Sequence, residues 1–77
     1  MKLIPLVNLA SGETGVVSDI IGGRGVINRL CALGIIPGKK IIKINAMMMR
    51  GPVVVRVGST EIALGFGMAS KIIISRV

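Results

Sequence analysis

The sequence predicts a mainly β protein, a small and partly open β-barrel of about five short strands with one short helix, in which residues 1–77 form a single domain. Three observations predict this fold class. Short runs rich in β-branched residues recur along the chain, and Gly and Pro separate them. Only one segment, about ten residues long, has apolar residues at helical spacing. We find no internal repeat, linker or low-complexity stretch.

The first third of the chain contains one clear strand. Residues 3–9 are apolar, but Pro5 limits them to an edge strand or an irregular lead-in. Residues 11–15 form a turn cluster of Gly, Ser and Thr. The β-branched run at 16–21 predicts a strand, and Gly22-Gly23 ends it.

Residues 24–33 predict the short helix. Its apolar stripe consists of Val26, Leu30 and Leu33. Cys31 lies beside this stripe and is expected to be a small core residue. Gly34 is expected to end the helix in the left-handed conformation, and Pro37-Gly38 turns the chain into the next strand.

That next strand alternates from residue 39 onward. One predicted face carries every second residue and is expected to point inward: Ile42, Ile44, Ala46 and Met48. The opposite, mixed face carries the remaining residues: Lys39, Ile41, Lys43, Asn45 and Met47.

A β-hairpin is the sharpest prediction from the second half. Residues 53–57 and 60–64 flank Gly58-Ser59, a two-residue loop that begins with glycine. The implied pairs are Arg56 with Glu61, Val55 with Ile62 and Val53 with Leu64, so one face carries a charge pair and the other is aliphatic. Residues 65–70 predict a turn with a helical fragment, and residues 71–77 the last strand.

The reactive side chains argue against an enzyme. The chain has no His, one Cys and three carboxylates, which are Glu13, Asp19 and Glu61. These do not supply a catalytic triad, a carboxylate pair or a full metal-ligand set, so we expect no catalytic residues, no cofactor and no metal site. A single Cys is typical of a reducing cytoplasm, and neither a signal peptide nor a membrane span is apparent.

The charge balance indicates an acidic partner. Ten Lys and Arg oppose three acidic residues, a formal net charge of +7. Nucleic acid, anionic lipid and an acidic protein all fit a basic surface. Nucleic acid is disfavoured because Phe66 is the only aromatic residue on which a base could stack, which leaves nonspecific phosphate binding as the alternative.

The helix-to-strand segment Arg29-Leu30-Cys31-Ala32-Leu33-Gly34-Ile35-Ile36-Pro37-Gly38 resembles the FeoA family of ferrous iron transport proteins. The segments SGETG, VVSDIIGG, GPVVVRV, EIALG and GMASKI extend the resemblance over nearly the whole chain. It implies an SH3-like barrel and a cytoplasmic accessory of bacterial ferrous iron uptake, reaching the membrane only through its partner. That partner would be FeoB, a transporter with a cytoplasmic GTP-binding domain. The alternative within this fold is a stand-alone relative of the SH3-like domain of iron-dependent repressors.

The candidate residues divide into two groups. An architectural group shapes the helix-to-strand segment: Leu30, Leu33, Gly34, Pro37 and Gly38. A partner-binding group is basic or apolar and is expected outside the core: Arg29, Lys39, Met47, Met49, Arg50 and Phe66. Exposed methionines suit adaptable protein contacts, although core packing and soft-metal binding are alternatives for the Met run. The binding mechanism expected from these residues is steering by basic side chains and retention by apolar ones.

Overall fold

The computed structural model describes residues 2–46 and 51–76. Its elements follow the chain in this order: β1 (Leu3–Pro5), a 3-10 turn (Leu6–Asn8), β2 (Thr14–Ile20), α1 (Arg24–Ala32), β3 (Lys40–Ala46), β4 (Val53–Val57), β5 (Thr60–Leu64), α2 (Phe66–Ala69) and β6 (Ile72–Arg76). Within this part of the chain, six antiparallel strands form one sheet in the order β1-β6-β2-β3-β4-β5. The mainly β prediction is confirmed. The N-terminal lead-in contributes a sixth, three-residue strand at the edge of the sheet.

The core consists of aliphatic side chains from the sheet, covered by residues of the 3-10 turn and both helices. Completely buried examples are Leu6, Leu30, Ile35, Ile41, Val55, Ala69, Ile72 and Ile74. At one point β2 and β6 approach so closely that only glycine fits. A Cβ added to Gly15 would lie 2.2 Å from Ile74 Cγ2.

The β4–β5 hairpin has the predicted register throughout. Val53 pairs with Leu64, Val55 with Ile62, and Arg56 with Glu61. The charged pair is an ion pair of 2.7 Å on the exposed face. Gly58 has φ of +63°, as the first residue of a tight two-residue turn requires.

The predicted inward face of β3 was wrong. Ile41 and Lys43 are buried, whereas Ile42 and Ile44 are only half-buried on the outer face. Both faces of this strand carry aliphatic residues. The alternating pattern therefore predicted which residues share a face, but not which face points toward the core. Lys43 can be buried because carbonyl groups far away in the sequence accept hydrogen bonds from its ammonium group.

The helix was predicted at the correct position, but its burial was overestimated. Of the predicted stripe, Leu30 is fully buried, Val26 is partly buried, and Leu33 remains 41% exposed. Cys31 is exposed as well, so its prediction as a core residue was wrong. A nine-residue helix at the side of a small sheet turns only a narrow stripe toward the core, and Cys31 lies beyond that stripe.

A basic and apolar surface where α1 meets the sheet

The end of α1 is fixed by a Schellman motif. The Ile35 N–H donates to the Leu30 carbonyl and the Gly34 N–H donates to the Cys31 carbonyl, both at 2.9 Å. Gly34 has φ of +88°, which confirms the predicted left-handed helix stop. Ile35 and Leu30 are both fully buried, which is the hydrophobic contact that accompanies this motif.

This arrangement leaves the residues on either side of the motif exposed. Because Ile35 is drawn into the core, the flanking Leu33 and Ile36 keep 41% and 42% of their surface in solvent. They are two of the five large hydrophobic residues exposed in the described part of the chain. Exposed aliphatic side chains are common singly, but neighbouring ones indicate a contact surface.

Backbone hydrogen bonds place Lys39 beside Ile36, and Lys40 follows as the first residue of β3. The Gly38 N–H donates to the Val17 carbonyl at 2.7 Å, and the Val17 N–H donates to the Lys39 carbonyl at 2.9 Å. The Lys39 N–H donates to the Ile36 carbonyl at 3.1 Å, so Ile36 and Lys39 belong to one turn. Gly38 adopts φ of +92°, which supports its predicted architectural role as a turn residue.

We call the resulting region the joint surface and define it by Arg29, Leu33, Ile36, Lys39 and Lys40. All five residues are exposed. Next to it, an open groove of about 280 Å³ is lined by Lys39, Lys40, Ile42 and Gly58. The groove provides a concave region in which a partner's side chain can lie beside the two lysines.

The joint surface is cationic because it contains three basic residues and no acidic one. No Asp or Glu occurs between residues 20 and 60. Glu13 forms an ion pair with Arg76 at 2.9 Å, and Glu61 is held by Arg56. The Asp19 carboxylate accepts the Ile20 N–H at 2.8 Å. In residues 2–46 and 51–76, none of the three cations of the joint surface forms an ion pair.

The predicted partner-binding residues do not all lie together. Arg29 and Lys39 are part of the joint surface. Phe66 is half-buried at the start of α2. It follows Leu64 by two residues, and Leu64 pairs with Val53, which in turn pairs with the last residue of β3. The seven residues of β3 separate the two locations by about 20 Å at roughly 3.3 Å per residue. Met47, Met49 and Arg50 lie outside the described residues.

A buried lysine is the residue that sequence reasoning missed. Lys43 is 3% exposed, and its Nζ donates to the carbonyl oxygens of Val7 at 2.9 Å and Leu9 at 2.5 Å. Burial lowers the pKa of Lys43, while the negative charge of Glu13 partly opposes that change. Since backbone carbonyls satisfy the ammonium group, its role is to hold the N-terminal segment against the sheet. In the sequence, burial of Lys43 was indicated only by its position two residues after Ile41, which places both residues on one face of β3.

Residues 2–46 and 51–76 contain neither a candidate metal-binding cluster nor a helix that could span a membrane. No group of three or more His, Cys, Asp or Glu side chains comes together there to form a candidate metal site. None of the helices in the described ranges is long and apolar enough to cross a membrane.

Comparison with known proteins decides the family. The FeoA domain profile matches residues 4–76. The chain belongs to the FeoA family. It is also 35% identical over 72 residues to the "Putative Fe(2+) transport protein A" of Methanocaldococcus jannaschii, covering 94% of this chain and 85% of that protein. Membership of the FeoA family, which is not an enzyme family, implies involvement in ferrous iron transport.

Solved structures confirm the FeoA fold. The crystal structure of an iron uptake regulatory protein (FeoA) superposes on this chain with a TM-score of 0.90 at 28% identity, and the superposition covers 100% of both chains. A FeoA-like protein from Clostridium acetobutylicum gives a TM-score of 0.87 at 21% identity, covering 100% of this chain and 90% of that one. A manganese-dependent transcriptional repressor shares the fold over 42% of its own length, with 97% of this chain covered, a TM-score of 0.89 and 20% identity. The SH3-like fold is therefore common to FeoA proteins and to part of such repressors.

Proposed function

We propose that this FeoA-family chain is a non-enzymatic, cytoplasmic accessory of ferrous iron uptake. It binds the cytoplasmic part of a FeoB-like transporter through the joint surface and thereby assists the assembly or regulation of that transporter. The observation that carries this proposal is the neighbouring exposure of Leu33 and Ile36 beside three cations that have no ion-pair partner in the described residues.

The composition of the joint surface fits a protein partner with acidic and apolar groups. Arg29, Lys39 and Lys40 attract an acidic surface and accelerate the encounter. Leu33 and Ile36 then lose contact with water when the partner covers them, which slows dissociation. Burying one such aliphatic side chain contributes about 1.5–3 kcal/mol at most, and their partial exposure reduces that gain.

Binding is tested by titration calorimetry of the full chain with the soluble cytoplasmic part of a FeoB-like transporter, in the apo, GDP-bound and GTP-analogue-bound states. Ile36→Ser should weaken binding, with the loss appearing mainly as faster dissociation in surface plasmon resonance. Leu3→Ser is the matched control, because Leu3 is 56% exposed on strand β1, which β6 and β2 separate from β3 in the sheet. Equal losses for the two variants would contradict the assignment of the surface.

The charge contribution is tested separately. Lys39→Glu should slow association and flatten its dependence on salt, whereas Lys71→Glu, an exposed charge outside the joint surface, should change both less. Absence of binding in every nucleotide state would refute the proposed function. Steeply salt-dependent retention of nucleic acid, with no transporter binding, would favour the nucleic-acid alternative instead.

A further inference from the structure

The two edges of the sheet differ in how they are protected. Strand β1 is three residues long and ends in Pro5, which cannot donate a backbone hydrogen bond, so that edge offers little to another strand. Strand β5 has five residues, contains neither Pro nor Lys, and pairs with β4 in an unbroken register. Of the devices that discourage strand addition, β1 has its shortness and Pro5, whereas β5 has only the charge of Glu61, which is held in an ion pair with Arg56.

The hairpin register identifies the backbone groups that face outward. The pair that closes a two-residue hairpin loop, Val57 with Thr60, exchanges hydrogen bonds. Hydrogen-bonded and non-hydrogen-bonded pairs alternate along an antiparallel ladder, so Ile62 and Leu64 also bond to β4. Glu61 and Ala63 then direct their N–H and C=O groups away from β4. These groups have no other backbone partner in the described residues.

We infer that the free edge of β5 accepts an extended, acidic segment of the partner protein, which adds a strand to the sheet. The inference rests on the proposed function, because the segment belongs to the cytoplasmic part of the transporter, and it adds a second contact to the joint surface. The outward groups of Glu61 and Ala63 supply up to four backbone hydrogen bonds. Half-buried Ile62, which packs against the core, can contact one apolar side chain of the incoming strand.

Charge and area select this occupant over a second copy of the chain. Two chains of net charge +7 repel each other, whereas an acidic segment is attracted to the basic chain as a whole, and Arg56 holds the one carboxylate of β5 in an ion pair. Pairing β5 with its own copy would involve five residues of each chain, far fewer than the roughly 20–30 residues per side of a stable interface. An extended segment of a partner already held at the joint surface needs little contact area of its own, because the attachment raises its effective concentration.

Amide hydrogen exchange of the full chain, with and without the soluble cytoplasmic part of the transporter, provides the direct test. In the free protein the Glu61 and Ala63 amides should exchange quickly, while the Ile62 amide, bonded to β4, is protected. In the complex the Glu61 and Ala63 amides should slow at least about tenfold, as new hydrogen bonds require. A complex that forms while both amides stay fast overturns the strand addition and leaves the proposed function intact.

A variant pair supports the exchange measurement. Ala63→Pro removes an outward N–H that the fold does not use, so the hairpin should persist while binding weakens about tenfold. Ala63→Ser keeps the N–H and should bind like the parent. Equal binding by the two variants contradicts the inference. If the same amides slow when the chain alone is concentrated, the strand that pairs with β5 comes from a second copy of the chain and not from the partner. Absence of any complex would refute both proposals.

Discussion

Replacing Gly15 by Ala should destabilise the protein through one close approach between strands. The new Cβ would lie 2.2 Å from Ile74 Cγ2 and 3.3 Å from the Ser75 carbonyl oxygen. Carbon atoms prefer separations of about 3.5–4.0 Å, so β2 and β6 must move apart or Ile74 must leave its rotamer. Ile74 is completely buried in the core, which leaves no free direction for either movement.

The expected cost follows from overpacking. Inserting a methyl group into a filled core costs about 1–3 kcal/mol, and the lower backbone entropy of unfolded Ala recovers roughly 0.4–1 kcal/mol of that. The middle of the resulting range, a net loss of about 1.3 kcal/mol, lowers the Tm of a chain of this size by about 5–10 °C. Thermal unfolding followed by circular dichroism measures this shift.

A matched glycine separates crowding from the general effect of removing a glycine. Gly25 lies inside α1, and a Cβ there meets nothing within 4 Å. Because Gly25 is the second residue of α1, Gly25→Ala should raise stability by up to about 0.5–1 kcal/mol through helix propensity. Ile74→Ala should cost less in the Gly15→Ala background than in the parent, because it removes the clashing methyl group. Equal Tm values for Gly15→Ala and the parent would refute the close approach.

Three further outcomes are expected. In urea unfolding, the free energy of unfolding of Gly34→Val should be lower than that of Arg29→Ala by about 1 kcal/mol or more, because valine is strained at φ of +88°. Equal urea midpoints for the two variants would contradict the helix stop. The pKa of Glu13 is lower than its ordinary value, chiefly because the carboxylate accepts a hydrogen bond from the Ala10 N–H and also because it pairs with Arg76. The ionised Glu13 side chain therefore contributes its full stabilisation at pH values above the ordinary pKa, and this contribution is lost as pH falls through the folded-state pKa. The Tm of the parent should therefore decline more steeply in acid than the Tm of Glu13→Gln, and parallel pH profiles would show that the contribution is negligible. Lys43→Met should cost about 1–3 kcal/mol by leaving buried carbonyls without a donor, and it should expose the N-terminal segment to limited proteolysis; unchanged cleavage would contradict its anchoring role.

Local signals made several parts of the fold predictable. The hairpin register followed from loop length together with the Arg56–Glu61 pair, because a shift by one residue would have exposed the aliphatic face. The helix stop followed from Gly34, since glycine alone adopts that backbone conformation without strain. These features depend on residues close together in the chain.

The parts that the sequence did not predict depend on distant contacts. Lys43 is buried because carbonyl groups 34 and 36 residues away accept its protons, and no local pattern indicates them. The inward face of β3 depends on the same contacts. The candidate site was predicted in part, because Arg29 and Lys39 lie in the joint surface. The exposure of Leu33 and Ile36 was not predicted, because it depends on the Schellman motif, which buries Ile35 between them.

The position of β6 has a consequence for how the chain folds during synthesis. Strand β6 lies between β1 and β2, which are the first two strands of the sheet to leave the ribosome. Until Ile72–Arg76 emerge, β1 has no strand to pair with and one edge of β2 stays open. Contacts between the two ends of a sequence also slow folding, because the loop must close before they form. The sheet therefore cannot be completed before residues 72–76 are available, and until then the open edges of β1 and β2 are sites at which strand-edge aggregation can begin.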